Sequence, residues 1–185
     1  MSKVLYSTRF LELRSTKSPS GNDWAYAHRP NAKNVVVIVP IIHDTDGDKI
    51  VFIETKRPPL LAENKSISNI ELPAGLVGDE NADETISEAL AKELLEETGY
   101  KAIYFEIVAK NVSSSAGCTS ETSLFAIADI EKDIQVQAPI SDNGVIISIH
   151  KIDIKNVKNW LIDQENQGKS IGSQTLSGLF YAFTR

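Results

Sequence analysis

Between Lys92 and Tyr100 the chain reads KELLEETGY, which sets Glu93, Glu96 and Glu97 within five residues of one another. Carboxylates at this density serve either as a solvated helix face or as ligands gathered for a cation. A helical wheel separates the two. With Ile86 at zero and about 100° per residue, Leu90, Leu94 and Ala89 fall near about 40°, 80° and 300° and define an apolar face. Glu93 falls near about 340° and Glu97 near about 20°, on that same face, with Glu96 at its edge near about 280°. A solvated acidic helix accounts for this poorly. Like charges four residues apart repel, and acids near a helix C-terminus oppose its dipole. Burying them uncompensated costs several kcal/mol per ion, as an order of magnitude. A hard divalent cation such as Mg²⁺, which takes oxygen ligands from one or two carboxylates and a substrate phosphate, removes all three objections.

The helix that carries these acids has clear limits in sequence. Thr85 and Glu88 have capping-box spacing, and Gly99 stands where a left-handed C-terminal cap is expected, so the helix is predicted over residues 86–98. Around it the chain reads mainly as strands. TRFLELRS and DWAYAHRP alternate, with KSPSGN as a turn signal between them. NVVVIVPII is a continuous β-branched run, expected as a buried central strand. HDTDGD supplies a hairpin turn into KIVFIETKR, which the prolines of RPP stop. LLAENKSISN is read as an exposed loop and IELPAGLV as one short strand broken by Pro73 and Gly75. AIYFEIVAKNV and TSLFAIADI follow as strands joined by the loop SSSAGCTSE, then NGVIISIHKI. Two helix candidates, IKNVKNWLIDQENQ and SQTLSGLFYAFTR, close the chain. Strands mixed with a few helices indicate an α+β or mixed α/β sandwich.

Composition narrows the chemistry. The 185 residues are 42% hydrophobic and 24% charged, with a formal net charge of -6, which fits a folded domain and gives no support for a broad nucleic-acid surface. An anionic small molecule remains compatible, because a bound metal reverses the local field. A single cysteine, Cys118, rules out an internal disulfide and a multi-cysteine zinc site. His28, His43 and His150 are scattered without ligand spacing. The start MSKVLYSTRF lacks the apolar core of a signal peptide, and the run VVVIVPII is too short to span a bilayer, so a cytoplasmic location and no membrane association are expected.

The residues from Gly78 to Tyr100, GDENADETISEALAKELLEETGY, resemble the Nudix box, G-x5-E-x7-R-E-U-x-E-E-x-G-U. Gly78, Glu84, Glu93, Leu94, Glu96, Glu97, Gly99 and Tyr100 all fall at the family's spacing. Lys92 stands where the family has arginine, keeping the charge but losing the planar fork. Three further segments resemble the ADP-ribose pyrophosphatase branch: KRPP, ELPAG and SSAGCTSE. The branch usually carries proline where this chain has Ala116, which bears on substrate choice more than on chemistry.

The resemblance implies a Nudix-type α/β/α sandwich with an N-terminal antiparallel β-sheet. Residues 1–33 would serve dimerisation and base binding, and residues 34–185 would form the hydrolase domain. It implies Mg²⁺, with Mn²⁺ as a substitute, held by Glu93, Glu97 and the Ala74 carbonyl. Glu96 would bridge or coordinate through water, and Glu84, with Gly78 and Gly99, would support the loop and helix geometry. Lys92 would orient the carboxylates, and Glu121 would be the general base. Arg57 would contact substrate phosphate, and Glu71 is assigned with it to substrate binding. Trp24 would stack on the base, with core or dimer packing as its alternative. The reaction implied is hydrolysis of ADP-ribose to AMP and ribose 5-phosphate in a homodimer. GDP-mannose or another nucleotide sugar is the alternative substrate, and a non-catalytic nucleotide-sugar sensor is the alternative of another class.

Other features have plainer expectations. Trp160 is read as core and Cys118 as an inert loop side chain. Gly75 and Gly78 are read as serving the turn before the helix. Asp44, Asp46 and Asp48 lack the final glutamate of a calcium loop and are read as a hairpin turn.

Overall fold

The run NVVVIVPII forms strand β4 (Asn34–Ile42), and its two-residue alternation explains the architecture. Val35, Val37, Val39 and Ile41 enter one core, while Val36, Ile38 and Ile42 enter another on the opposite side. A strand buried on both faces has to lie in the middle layer of a sandwich. In a computed structural model of the chain, which describes residues 2–79, 81–140 and 145–184, that layer is an eight-stranded mixed sheet.

Within it β4 pairs in parallel with β9 (Thr122–Ile130), from Val35 opposite Ser123 to Ile42 opposite Ile130. Strand β8 (Tyr104–Ser113) lies antiparallel on the outer side of β9. On the other side of β4 the sheet divides. β5 (Lys49–Thr55) pairs with β4 only at Ile41–Ile50 and Ile42–Lys49. Beyond that, β6 (Asn69–Glu71) continues along β5 and β7 (Ala74–Val77) continues along β4. Leu72 and Pro73 therefore step across a fork between two diverging strands. The remaining edge of β5 carries β10 (Ile146–Asp153), and the two-residue β11 (Ser170–Ile171) pairs in parallel with β6.

Helices cover both faces. α2 (Ile86–Thr98) buries Ala89, Leu90 and Leu94 against Val36, Ile38 and Val51. α3 (Val157–Asn166) and α4 (Ser173–Phe183) bury Val157, Leu161 and Leu179 on the other side, with Trp160 packed 5.0 Å from Phe52 between ring centroids. A separate three-stranded antiparallel sheet precedes these layers: β1 (Lys3–Ser7), β2 (Glu12–Lys17) and β3 (Asp23–His28). The mixed sandwich with an N-terminal antiparallel sheet is the architecture expected from sequence.

One polar cluster sits inside this framework. The Glu54 carboxylate, at the end of β5, accepts hydrogen bonds from Ser68 at 2.6 Å and from Lys169 at 2.9 Å, and lies 3.0 Å from His150 Nε2. Burial opposes ionisation of Glu54, but the bonds from Ser68, Lys169 and His150 outweigh it and hold the carboxyl down to about 2.

Several local expectations need correction. TRFLELRS is not one strand. The Thr8 hydroxyl accepts the N–H groups of Phe10 and Leu11, and this side-chain turn overrides the alternation. The residues before it, Lys3–Ser7, form a strand of their own. The expected loop LLAENKSISN contains part of a short helix, α1 (Pro58–Ala62). Its prolines occupy the first turn, where a missing N–H costs nothing. IELPAGLV is two strands on two different partners rather than one. Of NGVIISIHKI, Asn143 and Gly144 lie outside the described residues.

Helix α2 matches its predicted limits. Thr85 and Glu88 form both bonds of the capping box, and Gly99 adopts φ 76° while donating its N–H to Leu95. A Cβ at Gly99 would lie 2.2 Å from the Gln137 carbonyl oxygen, whereas a Cβ at Gly168, also left-handed with φ 84°, meets nothing within 4 Å. Gly168→Ala should therefore cost only the left-handed penalty of about 1 kcal/mol. Gly99→Ala adds a backbone collision and should cost more than about 2 kcal/mol. Urea unfolding of both variants checks this, and equal losses would contradict it.

Candidate functional site

The fork in the sheet is where the charged residues meet. β7 presents Ala74 and Gly75 opposite Val37 and Val36 of β4, and α2 packs across this strand. The face that α2 turns to the sheet is bounded by the buried residues Ala89, Leu90, Leu94 and Thr98. Glu93 and Glu97 lie between them, so the helix can seat its apolar residues only by carrying both carboxylates inward.

Gly75 makes room for one of them. A Cβ at position 75 would lie 2.0 Å from Glu93 Cδ, so the carboxylate occupies the volume a side chain would need. Gly75 is thus a close-approach residue inside β7, a different part from the turn role expected of it. Glu97 Oε2 accepts the N–H of Ala74 at 2.8 Å. Burial pushes Glu93 up to about 7 and Glu97 up to about 8. The Ala74 N–H opposes the rise of Glu97, and the neighbouring Glu93 adds to it.

Two cations flank the pair. Lys92 Nζ lies 3.2 Å from Glu84 and 3.6 Å from Glu93, so it bridges the loop before α2 to the helix itself. Glu84 also accepts the Gly78 N–H at 2.8 Å, and this bond, then Lys92, holds its carboxyl below the usual range. On the other side Arg57 forks onto Glu71, donating Nε–H at 2.8 Å and a second, shorter bond from Nη2. The Asn69 amide bonds the same carboxylate. Arg57 and Glu97 also attract one another electrostatically, which joins the Arg57–Glu71 pair to the acidic pair. Glu96 raises the pKa of Glu93 through its charge, and its backbone carbonyl accepts the Ile140 N–H at 2.7 Å.

Glu121 and Trp24 belong to a second group. Glu121, just before β9, pairs with Arg29 at 3.2 Å, and Trp24 donates its indole N–H to the Gly117 carbonyl at 2.8 Å. Trp24 is half exposed and lines a surface hollow with Tyr26, Ala116, Thr119 and Ser120. Both residues are fastened to one another's neighbourhood by the docking of residues 115–121 on β3. Cys118 is exposed on this loop. Nothing in the sequence points to Arg29, because its partner is remote in the chain and neither lies in a shared pattern.

The residues gathered at the fork can be tested against the needs of a hard cation. Among the described residues, no three His, Cys, Asp or Glu side chains converge in the manner of an all-side-chain metal cage. Two carboxylates and backbone oxygen fit Mg²⁺, which keeps positions for water and phosphate. No helix among the described residues is long and apolar enough to cross a membrane.

Comparison with known proteins bears on the family and the fold. The NUDIX domain family model matches residues 32–160. The fold is similar to a crystal structure of an ADP compounds hydrolase, with TM-score 0.69 and 17% identity, over 100% of this chain and 90% of that one. It is also similar to the NUDIX domain of Shewanella oneidensis NrtR in complex with ADP ribose, with TM-score 0.58 and 18% identity, over 82% and 86% of the two chains. Shewanella oneidensis NrtR in complex with a 27mer DNA gives TM-score 0.56 and 18% identity, over 82% of this chain and 61% of that one. A comparison with curated sequences finds no match.

The buried acids make a testable statement about pH. A carboxyl whose pKa is raised on folding binds its proton more tightly when folded. Its contribution favours folding at acidic pH and is lost as pH rises from about 4.5 through the folded value. For Glu93 and Glu97 that window closes at about 7 and about 8. With a chelator present, the protein should therefore lose stability between about pH 5 and pH 8 through these groups. Glu97→Gln should flatten that slope and be the more stable form at alkaline pH, by on the order of 2 kcal/mol. Urea unfolding at several pH values measures it, and parallel curves for the two proteins would contradict it.

Proposed function

Because the chain belongs to the Nudix family, we propose that it hydrolyses the pyrophosphate bond of a nucleoside diphosphate sugar, with ADP-ribose cut to AMP and ribose 5-phosphate. The observation that carries this is the pair Glu93 and Glu97, turned inward on α2 against Gly75 and Ala74. Two carboxyls pushed towards neutrality by burial are costly unless a cation takes the place of their protons. Mg²⁺, or Mn²⁺ in its place, would be held by Glu93, Glu97 and the Ala74 carbonyl, with Glu96 joining directly or through water. When bound, such an ion polarises phosphoryl oxygens and lowers the pKa of a bound water.

The residues of the chain then divide the work. Lys92 orients Glu93 and is itself anchored by Glu84, which Gly78 fixes. Glu71 holds Arg57 by its fork, so that the guanidinium is aimed without free rotation and can receive phosphate through charge-assisted bonds. Glu121 takes a proton from the attacking water. The water oxygen bonds to one phosphorus, the bond from that phosphorus to the bridging oxygen breaks, and the bridging oxygen leaves with the other phosphoryl group. Two phosphomonoesters result. Trp24 offers its half-exposed ring to the base.

Residues 1–33 are assigned to base binding and to a homodimer, residues 34–185 to hydrolysis, and the cytoplasm is the proposed location. Val4, Leu5, Tyr6, Leu11 and Leu13 give the N-terminal sheet an exposed apolar surface for pairing. GDP-mannose or another nucleotide sugar is the alternative substrate. A second reading is ligand binding without turnover; the fold is similar to a NUDIX domain solved with ADP ribose.

A panel of ADP-ribose, GDP-mannose, NADH and diadenosine polyphosphates, assayed with Mg²⁺ and then with EDTA, decides among these. ADP-ribose should give the highest kcat/KM, and EDTA should abolish turnover. Tight binding of one compound with no turnover of any would favour the sensor. Glu97→Gln should lower kcat by on the order of 100-fold or more. Glu121→Gln should lower it by about 100- to 10,000-fold with substrate binding kept. An unchanged kcat in either variant removes that residue from its role. Light scattering should give the mass of two chains.

A further inference from the structure

The loop that carries Glu121 is docked along β3 by a ladder of contacts. Trp24 donates its indole N–H to Gly117, the Ala27 N–H bonds the Cys118 carbonyl at 2.8 Å, and the Ser120 N–H bonds the Ala27 carbonyl at 3.2 Å. His28 Nδ1 lies 2.9 Å from the Ser120 hydroxyl. The next residue along the chain, Arg29, meets the next residue along the loop: its Nε lies 3.2 Å from Glu121 Oε1. On the far side of Glu121, Ser123 is already in register with Val35 of β4. The backbone of Glu121 is thus fixed from both directions, and its remaining freedom is rotation of its side chain.

We infer that Arg29 is a positioning residue that holds the Glu121 carboxylate in its working orientation, an inference that rests on the reading of Glu121 as the group that accepts the water proton. An exposed ion pair contributes little to stability, commonly below about 1 kcal/mol. Arg29 is 43% exposed and Glu121 21% exposed in their side chains, so folding does not depend on the pair. Orientation does. A base displaced by an ångström loses much of its effect, because proton transfer demands hydrogen-bond distance. The docking lies beside Ala116, where the family branch usually has proline. Where a proline would stiffen this loop from within, contacts with β3 hold it from outside.

The experiment is steady-state kinetics on the full chain with Mg²⁺ and the best substrate of the panel, for Arg29→Ala, Arg29→Lys, Glu121→Gln and the double variant Arg29→Ala/Glu121→Gln. Arg29→Ala should lower kcat about 10- to 100-fold with KM within about threefold, the size expected for a residue acting through another. Arg29→Lys should recover most of that loss, because the contact uses one nitrogen. The double variant should be no slower than Glu121→Gln within about threefold, since Arg29 has no other route to the reaction. A normal kcat for Arg29→Ala beside an impaired Glu121→Gln overturns the inference and leaves the base assignment standing. So does an equal loss from Arg29→Ala in both backgrounds. A normal kcat for Glu121→Gln overturns the base assignment and the inference with it.

Discussion

Two half-buried carboxylates on the sheet-facing side of one helix set the terms for the rest of the molecule. Glu93 and Glu97 cannot be turned outward without also exposing Leu90 and Leu94, because all four lie on the same side of α2. The fold answers with space and with partners. Gly75 leaves the volume that Glu93 fills, Ala74 gives Glu97 a hydrogen bond, and Lys92 stands beside Glu93. The space exists because β4 and β5 part after two paired residues and the chain between β6 and β7 crosses the gap. Helix register, glycine position and sheet divergence are thus one constraint seen at three levels.

Stability and function pull in opposite directions at this point. The acids at the fork are raised towards neutrality, which marks an environment hostile to their charge. At the end of β5, Glu54 shows the contrasting solution. Its surface is nearly all covered, yet it is held ionised by Ser68, Lys169 and His150. Glu54 is surrounded by donors, whereas Glu93 and Glu97 are left short of them, the pattern common at functional sites.

Much of this was legible in the chain. The limits of α2, its capping box, its left-handed glycine and the inward turn of Glu93 and Glu97 follow from local spacing, and the structure repeats them. The central strand follows from β-branched residues without alternation of polarity. What escaped was decided by partners far along the chain. IELPAGLV reads as one interrupted strand because sequence does not say that its halves face different neighbours. Gly75 reads as a turn residue because only α2, packed across it, reveals the close approach. Arg29 carries no motif, and its meeting with Glu121 follows from the docking of a loop on β3. Thr8 shows the opposite failure: a local hydroxyl turn was strong enough to break a convincing alternation.

The docked loop has a topological effect on the N-terminal sheet. A three-stranded sheet has two open edges, each a row of unpaired backbone groups able to recruit another strand. Residues 118–120 occupy the outer edge of β3 at Ala27, so extension there is blocked by the chain itself. Among the described residues β1 is left as the free rim, so growth of this sheet would proceed from that side. The same hydrogen bonds that steady a loop therefore also act as a terminator, restricting strand addition to a single, self-limiting contact in place of an open-ended stack.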